Sequence, residues 1–133
     1  MLICLLDQYF KNKVEKMTKI RYLFNGHLKI SKTHNYGLCL NKLEKHPKIA
    51  KILSGLCLIG YLIYCFPRYG IGTYLVAFGG ASNLYDRIKR GCVVDYIQFP
   101  KSKYKSKVVY NLADFEIFLG LFLTICKELK KAS

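Results

Sequence analysis

The segments GGASNLYDRIKRGCVVDYIQFP (79–100), KSKYKSKVVY (101–110) and NLADFEIFLG (111–120) hold most of the polar groups that interrupt the apolar half of this chain. Six of these groups stand where one apolar segment ends and the next begins: Asn83, Asp86, Arg87, Asp95, Asn111 and Asp114. Ionisable groups at the ends of apolar helices are costly, so they are usually paired or functional. The function of the chain therefore depends on what two of these carboxylates, Asp95 and Asp114, do when the apolar segments bring them together.

Charged and apolar residues are segregated along the 133 residues, a length that predicts one domain, 1–133. Between Ile52 and Tyr85 the one charged residue is Arg68. Such a stretch is typical of two membrane-crossing helices joined at 67–70. Each half holds about 15 apolar residues where a span takes roughly 20, which leaves a soluble helical hairpin as the alternative. Tilt and snorkelling side chains can make up the difference.

The apolar pattern predicts an α-helical membrane protein with three full transmembrane helices and a truncated first helix. The full helices are predicted at 52–66, 70–84 and 112–126. The N-terminal apolar run, 1–6, is too short to cross a bilayer. We expect either that the chain begins partway along a first helix or that its N-terminus only touches the membrane. The pair Asn25-Gly26 between apolar segments predicts a small β-hairpin.

Basic residues exceed acidic ones by 14, and half of the 22 lie between Lys11 and Lys51. No helix-turn-helix, zinc-finger or RNA-recognition signature accompanies them. Basic segments beside a bilayer attract anionic headgroups, so we predict anionic membrane lipids as partners and no nucleic acid. The alternative is a basic peripheral protein bound to nucleic acid or to an anionic membrane, which high salt alone would extract into the soluble fraction.

The six cysteines show neither a disulfide framework nor a metal site. No CxxC occurs, and the histidines lack zinc-ligand spacing. Four cysteines lie in apolar runs, where a thiol behaves as a small hydrophobe: Cys4, Cys57, Cys65 and Cys126. We predict no metal and no cofactor.

Asp95 and Asp114 are expected to share one face of the membrane, because helices 70–84 and 112–126 would run antiparallel. Two nearby carboxylates in a low dielectric cannot both ionise easily, so the pKa of one rises and the pair holds one proton. The ionised member can activate water while the other protonates a carbonyl or an amine, which hydrolyses a peptide bond. The structural alternative consists of ion pairs and a helix start: Asp86 with Arg87, Asp95 with Arg87 or Arg90, and Asp114 in the first turn of the last helix.

The segments around both aspartates resemble the signal peptidase II family of bacterial membrane aspartyl proteases. LLDQYFK at Leu5–Lys11 and NYG at Asn35–Gly37 are similar to two further motifs of that family. The resemblance implies that Asp95 and Asp114 are the catalytic pair. It also implies substrate binding by Asn35 and Arg87 and supporting roles for Asn83, Asp86, Asn111, Gly37 and Asp7.

The implied reaction removes the signal peptide of a prolipoprotein just before its diacylglyceryl-modified cysteine. The implied fold is four membrane helices with a small extracytoplasmic β-sheet. The implied location is the bacterial cytoplasmic membrane, which the chain crosses several times with its active site near the extracytoplasmic face. We expect a monomer.

Three features of the sequence depart from the family pattern. The first helix is nearly absent, the residues after Gly37 are Leu38-Cys39-Leu40, and Ser82 replaces a common glycine. Charge counts disagree with the family orientation, since most basic residues would lie outside, against the positive-inside rule. The alternative function is therefore a catalytically impaired family member that acts as an accessory or binding protein in the membrane.

Overall fold

The computed structural model describes residues 2–38, 43–65, 70–101 and 108–132. Within these ranges the chain forms four helices and one sheet, in the order α1 Leu2–Glu15, β1 Arg21–Leu23, β2 Leu28–Asn35, α2 Pro47–Cys65, α3 Ile71–Lys89, β3 Val93–Gln98, β4 Val109–Tyr110 and α4 Leu112–Ala132. Parts of three predicted features lie outside the described residues: the helix junction at 67–70, the departure at 38–40 and the basic loop at 101–107. The architecture is helical with a small sheet at one end.

The helices match the predicted segments but differ at their ends. Helix α2 begins five residues earlier than predicted, at Pro47, a residue that suits the first helical turn. Helix α3 continues to Lys89 instead of ending at 84. The polar residues near its end do not stop it, because other elements provide partners for them. The N-terminal run is the beginning of α1, which contacts α3, α4 and β3.

Helix α2 is the apolar element of the fold. Among the described residues it is the one helix that is long and apolar enough to cross a membrane, and only 11% of its apolar window is buried inside the protein. Apolar side chains also point outward from the other helices. The exposed set includes Ile52, Leu56, Ile59 and Ile63 on α2, Leu5 on α1, Ile71 on α3, and Phe122, Ile125 and Leu129 on α4.

Helices α3 and α4 pack closely because glycines face each other between them. A Cβ atom on Gly72 would lie 2.6 Å from the carbonyl oxygen of Gly120, and one on Gly120 would lie 2.6 Å from that of Gly72. Small residues at such contacts let helix backbones approach in a membrane protein. A Cβ atom on Gly79 would likewise lie 2.7 Å from the Ala113 carbonyl oxygen, so the start of α4 lies beside the middle of α3.

The sheet is antiparallel with the order β1-β2-β3-β4. The predicted hairpin is confirmed, since Leu23 pairs with Leu28 across a turn. In that turn Asn25 and Gly26 have φ angles of 54° and 83°, a region that asparagine and glycine tolerate best.

Strand β3 is an element that the sequence analysis did not predict. Its side chains are buried on both faces from Val93 to Tyr96, so it lacks the polar alternation that marks a half-exposed strand. Val94 and Tyr96 pack with Val14 of α1, while Val93 and Asp95 line a cavity on the other face.

Candidate active site

The two predicted catalytic residues line one cavity of about 520 Å³ at the sheet end of the helices. Asp95 comes from β3 and Asp114 from the first turn of α4. Five of the nine predicted site residues line this cavity: Asn35, Asn83, Arg87, Asp95 and Asp114. The other four lie in the surrounding network: Asp7, Gly37, Asp86 and Asn111. The fold therefore brings together nine predicted site residues that are spread along the sequence from position 7 to position 114.

Asp95 is 4% exposed and receives a neutral amide at each oxygen. Asn111 donates Nδ2–H to Oδ1 at 2.8 Å, and Asn35 donates Nδ2–H to Oδ2 at 3.1 Å. The pairing of β2 with β3 sets Asn35 opposite Val93, two residues before Asp95, so the sheet register brings Asn35 to the carboxylate.

Asp114 is held by a reciprocal cap at the start of α4. The Asp114 backbone N–H donates to Asn111 Oδ1 at 2.9 Å, and the Asn111 backbone N–H donates to Asp114 Oδ2 at 3.0 Å. Such a capping box satisfies two N–H groups that would otherwise lack partners. The structural alternative for Asp114 is thus present, and its carboxylate faces the cavity at the same time.

Asn83 and Asn111 connect the two carboxylates. Asn111 donates to Asn83 Oδ1 at 3.1 Å as well as to Asp95. Asn83 in turn donates Nδ2–H to Asp114 Oδ1 at 2.9 Å. Each carboxylate is therefore oriented by amides that are themselves fixed, which favours a single geometry.

The pKa of Asp95 is raised from 3.8 to about 7. The larger cause is burial, and the second is the nearby Asp114 carboxyl group. The amide hydrogen bonds from Asn35 and Asn111 act in the opposite direction, because they favour the ionised form. A carboxyl group with this pKa keeps a proton for much of the time at neutral pH, which is the state that a proton-sharing pair requires.

A second group of charged residues, here called the inner ion cluster, consists of Asp7, Lys11, Asp86 and Arg90. Lys11 Nζ lies 2.6 Å from Asp7 Oδ2 and 2.9 Å from Asp86 Oδ2, and Arg90 pairs with Asp86. The Lys11, Asp7 and Asp86 side chains are fully buried. Two positive charges offset two negative ones, so this cluster is neutral overall.

The inner ion cluster is joined to the carboxylate pair through Asn83. In addition to its two ion pairs, Lys11 Nζ donates a hydrogen bond to Asn83 Oδ1 at 2.9 Å. Sequence reasoning did not identify Lys11 as part of the site. The available signal was its spacing, since Asp7 and Lys11 are four residues apart in an apolar helix and so share a face.

Asp7 ties three helices together. Its carboxylate accepts from Ser82 Oγ at 2.7 Å and from the Ala113 backbone N–H at 3.3 Å. Gln8 of the same helix donates to Ser82 Oγ at 2.9 Å. The serine at position 82 therefore adds a hydrogen bond to this network, which the sequence analysis had described only as a departure.

Arg87 contacts the segment after β2 instead of a carboxylate. Its Nη2 donates to the Gly37 carbonyl oxygen at 2.8 Å, and the Gly37 backbone N–H donates to Asn35 Oδ1 at 3.1 Å. Within the described part of the chain, Asp86 pairs with Lys11 and Arg90, and no ion pair joins Asp86 to Arg87 or Asp95 to either arginine. The predicted substrate-binding residues thus lie together at one rim of the cavity.

Comparisons with known proteins agree over nearly the whole chain. A family model described as Signal peptidase (SPase) II matches residues 1–130. The chain is 33% identical over 143 residues to the lipoprotein signal peptidases of Brucella ovis, Brucella canis and Brucella suis, covering 96% of this chain and 84% of each relative. It is also similar to two solved structures, each described as a bacterial membrane enzyme. The first has a TM-score of 0.83 and 23% sequence identity, and the match covers 99% of this chain and 85% of the other. The second has a TM-score of 0.80 and 24% sequence identity, and the match covers 97% of this chain and 88% of the other.

Proposed function

This chain belongs to the signal peptidase II family of aspartic proteases, which remove signal peptides from prolipoproteins, and we propose that Asp95 and Asp114 carry out that reaction. The observation that carries the proposal is that both carboxylates line one cavity and are held by shared amide donors. No lysine or arginine in the described ranges forms an ion pair with either of them. Their charge is therefore free to change during a reaction.

The pair acts by direct attack of water on the scissile carbonyl. The ionised carboxylate takes a proton from the water as its oxygen bonds to the carbonyl carbon, and the protonated carboxyl group gives its proton to the carbonyl oxygen. When the tetrahedral intermediate collapses, the ionised carboxylate takes a proton from one of the two hydroxyl groups of the intermediate, the C–N bond breaks, and the leaving amine receives the proton of the other carboxyl group. The pair ends with one proton, as it began, so the cycle needs no further acid or base.

The rim formed by Asn35, Gly37 and Arg87 holds the substrate backbone in this proposal. Arg87 already uses Nη2 on the Gly37 carbonyl, which fixes the guanidinium. Its Nε–H is buried and has no hydrogen-bond partner among the described residues, although Arg87 lines the cavity. A buried donor without a partner is costly, and a substrate carbonyl would satisfy it.

We propose that α2, α3 and α4 span the cytoplasmic membrane, that α1 is a shorter fourth helix, and that the sheet lies at the extracytoplasmic face. Support comes from the apolar side chains that α2 exposes and from those on the other helices, because exposed apolar surface of this extent suits lipid. In the same proposal the whole chain is one membrane-embedded domain that acts as a monomer. The substrates are diacylglyceryl-modified prolipoproteins, and anionic lipids bind the basic segments.

The experiment is cleavage of a lipid-modified precursor peptide by the purified protein in detergent or bilayers. Asp95→Asn and Asp114→Asn should each lower kcat by about 10³-fold or more while the protein stays folded in the membrane. The matched control is Glu128→Gln, an acid-to-amide change on the same helix as Asp114 and outside the cavity, which should keep wild-type activity.

Cleavage by either aspartate variant at the wild-type rate would reject the catalytic assignment. A folded wild-type protein that cleaves no lipid-modified precursor would favour the accessory-protein alternative. Complete extraction from membranes by high salt would reject the spanning helices.

A further inference from the structure

The cavity continues from the catalytic pair toward the far end of the helices. Beyond the carboxylates its walls are apolar and come from three helices, with Leu58 on α2, Val76 on α3 and Leu121 on α4. Helix α3 packs against both of its neighbours, whereas α2 and α4 make few close backbone approaches to each other in the described ranges. The cavity therefore lies between α2 and α4 with α3 behind it.

A hydrogen bond crosses this gap at its far end. The Tyr61 hydroxyl of α2 lies 3.0 Å from Thr124 Oγ1 of α4. Thr124 donates its own hydroxyl proton to the Gly120 carbonyl oxygen at 2.8 Å, so Tyr61 is the donor to Thr124. Tyr61 lines the cavity, and we call this residue pair the cavity floor.

Thr124 is fixed from behind by α3. A Cβ atom on Gly72 would lie 2.6 Å from Thr124 Oγ1, so the threonine occupies space that only a glycine opposite it leaves open. Because Thr124 packs against Gly72, it holds the Tyr61 hydroxyl in a fixed position. The cavity floor therefore bridges α2 and α4 where the gap between them is otherwise open.

The distance from the carboxylates to the cavity floor can be calculated from the helical rise of α4. Thr124 lies ten residues after Asp114 on α4, which corresponds to about 15 Å along the helix axis. An extended peptide covers this distance with between about four and five residues. A substrate segment that runs from the carboxylates into the cavity therefore meets the Tyr61 ring at about the fourth or fifth residue from the cleaved bond.

We propose that Tyr61, held by Thr124, is a specificity-determining residue that limits the bulk of the signal peptide at about four to five residues before the scissile bond. The inference rests on the proposed function, since it takes the occupant to be the apolar segment of the signal peptide. The aromatic ring closes the cavity to large side chains at that depth, and the hydroxyl keeps the ring across the gap.

The test uses two lipid-modified precursor peptides that differ only by alanine or phenylalanine at the fourth and fifth positions before the cleaved bond. The wild-type protein should cleave the alanine peptide with a kcat/KM about tenfold higher. Tyr61→Ala should bring the ratio close to one by improving the phenylalanine peptide. Tyr61→Phe and Thr124→Val should each lower the ratio by about threefold, and the double variant should lower it no further, because both changes remove the same bond.

Ile63→Ala is the control, since Ile63 lies on the same helix and is 69% exposed; its ratio should equal that of the wild type. A wild-type ratio near one, or an unchanged ratio in active Tyr61 and Thr124 variants, overturns this inference and leaves the proposed function intact. If Tyr61→Ala does not fold, the ratios of Tyr61→Phe and Thr124→Val decide. Failure of the wild type to cleave either peptide rejects the proposed function itself.

Discussion

The inner ion cluster and the proposed catalytic pair, Asp95 and Asp114, both contain two aspartates, but the surroundings of these carboxylates are opposite. Asp7 and Asp86 are buried against Lys11, away from the cavity lining. Asp95 and Asp114 line the cavity and receive hydrogen bonds from neutral amides and a backbone N–H. The first two carboxylates each have a cationic partner, whereas neither Asp95 nor Asp114 forms an ion pair with a lysine or arginine in the described ranges. This difference supports the proposal that the first group is structural and that the second carries out the chemistry.

The largest effect is expected from Lys11→Met, which tests whether the inner ion cluster is structural. The change leaves Asp7 and Asp86 with one fewer buried cation, so we expect the free energy of unfolding to fall by about 3–5 kcal/mol. Lys13→Met on the same helix removes an exposed lysine and should stay within about 0.5 kcal/mol of the wild type. Thermal unfolding in detergent measures both. A Lys11→Met protein with wild-type stability and reduced kcat would instead place Lys11 in the chemistry.

Substitutions at Asn111 can separate its two interactions, the hydrogen bond to Asp95 and the cap of α4. Asn111→Ala and Asn111→Ser both remove the amide that donates to Asp95, so each should lower kcat by about 10²-fold through misplacement of the carboxylates. Serine keeps an oxygen for the helix cap, so the serine variant should be about 1 kcal/mol more stable than the alanine variant. Activity assays and thermal unfolding of the two proteins check this. Recovery of activity in Asn111→Ser would show that the cap alone orients the pair.

Ser82→Gly restores the residue that the family pattern commonly has. It removes the hydroxyl that donates to Asp7 and adds a glycine to a helix. Ala81→Gly, at the exposed neighbouring position, adds only the glycine. We expect the serine change to cost about 1.5 kcal/mol more in unfolding free energy. Equal losses would mean that the hydroxyl contributes nothing to the inner ion cluster.

The smallest effect expected is a shift in pH dependence on changing Asn35. The pKa of about 7 at Asp95 predicts that kcat/KM falls as the pH rises above about 7, because the pair then loses its shared proton. The Asn35 amide favours the ionised form of Asp95, so Asn35→Ala should raise that pKa and move the alkaline fall to higher pH by less than about one unit. A profile that keeps its position while activity drops would restrict Asn35 to substrate binding.

The sequence predicted the helices and the hairpin because each has a local signal. Apolar runs marked α2, α3 and α4, and Asn25-Gly26 marked the turn between β1 and β2. The predicted end of α3 was wrong because the apolar run stops before Asp86 and Arg87, whereas the helix continues through these two residues, whose partners lie on other elements. Strand β3 was missed because burial of both its faces removes the alternation that identifies a strand.

The candidate site was predictable where a motif marks it and not where it depends on distant contacts. Asp95, Asp114 and the asparagines around them come from motifs and lie together, while their catalytic roles stay a prediction. The spacing of Asp7 and Lys11 alone does not identify Lys11 as a site residue, because lysine is rarely buried unless paired and Asp86, one of its partners, is far along the chain. The contact of Tyr61 with Thr124 spans 63 residues between two apolar helices, and no local pattern marks it.

The capping box at Asn111 and Asp114 has a consequence for heat inactivation. The first turn of a helix opens more easily than its middle, and here that turn carries one of the two acids. Fraying of this single turn would move Asp114 away from Asp95 while the rest of α4 and the other helices stayed intact. Peptide cleavage should therefore be lost on warming at a lower temperature than helix content, and a ligand that bridges both carboxylates should bring the two temperatures together.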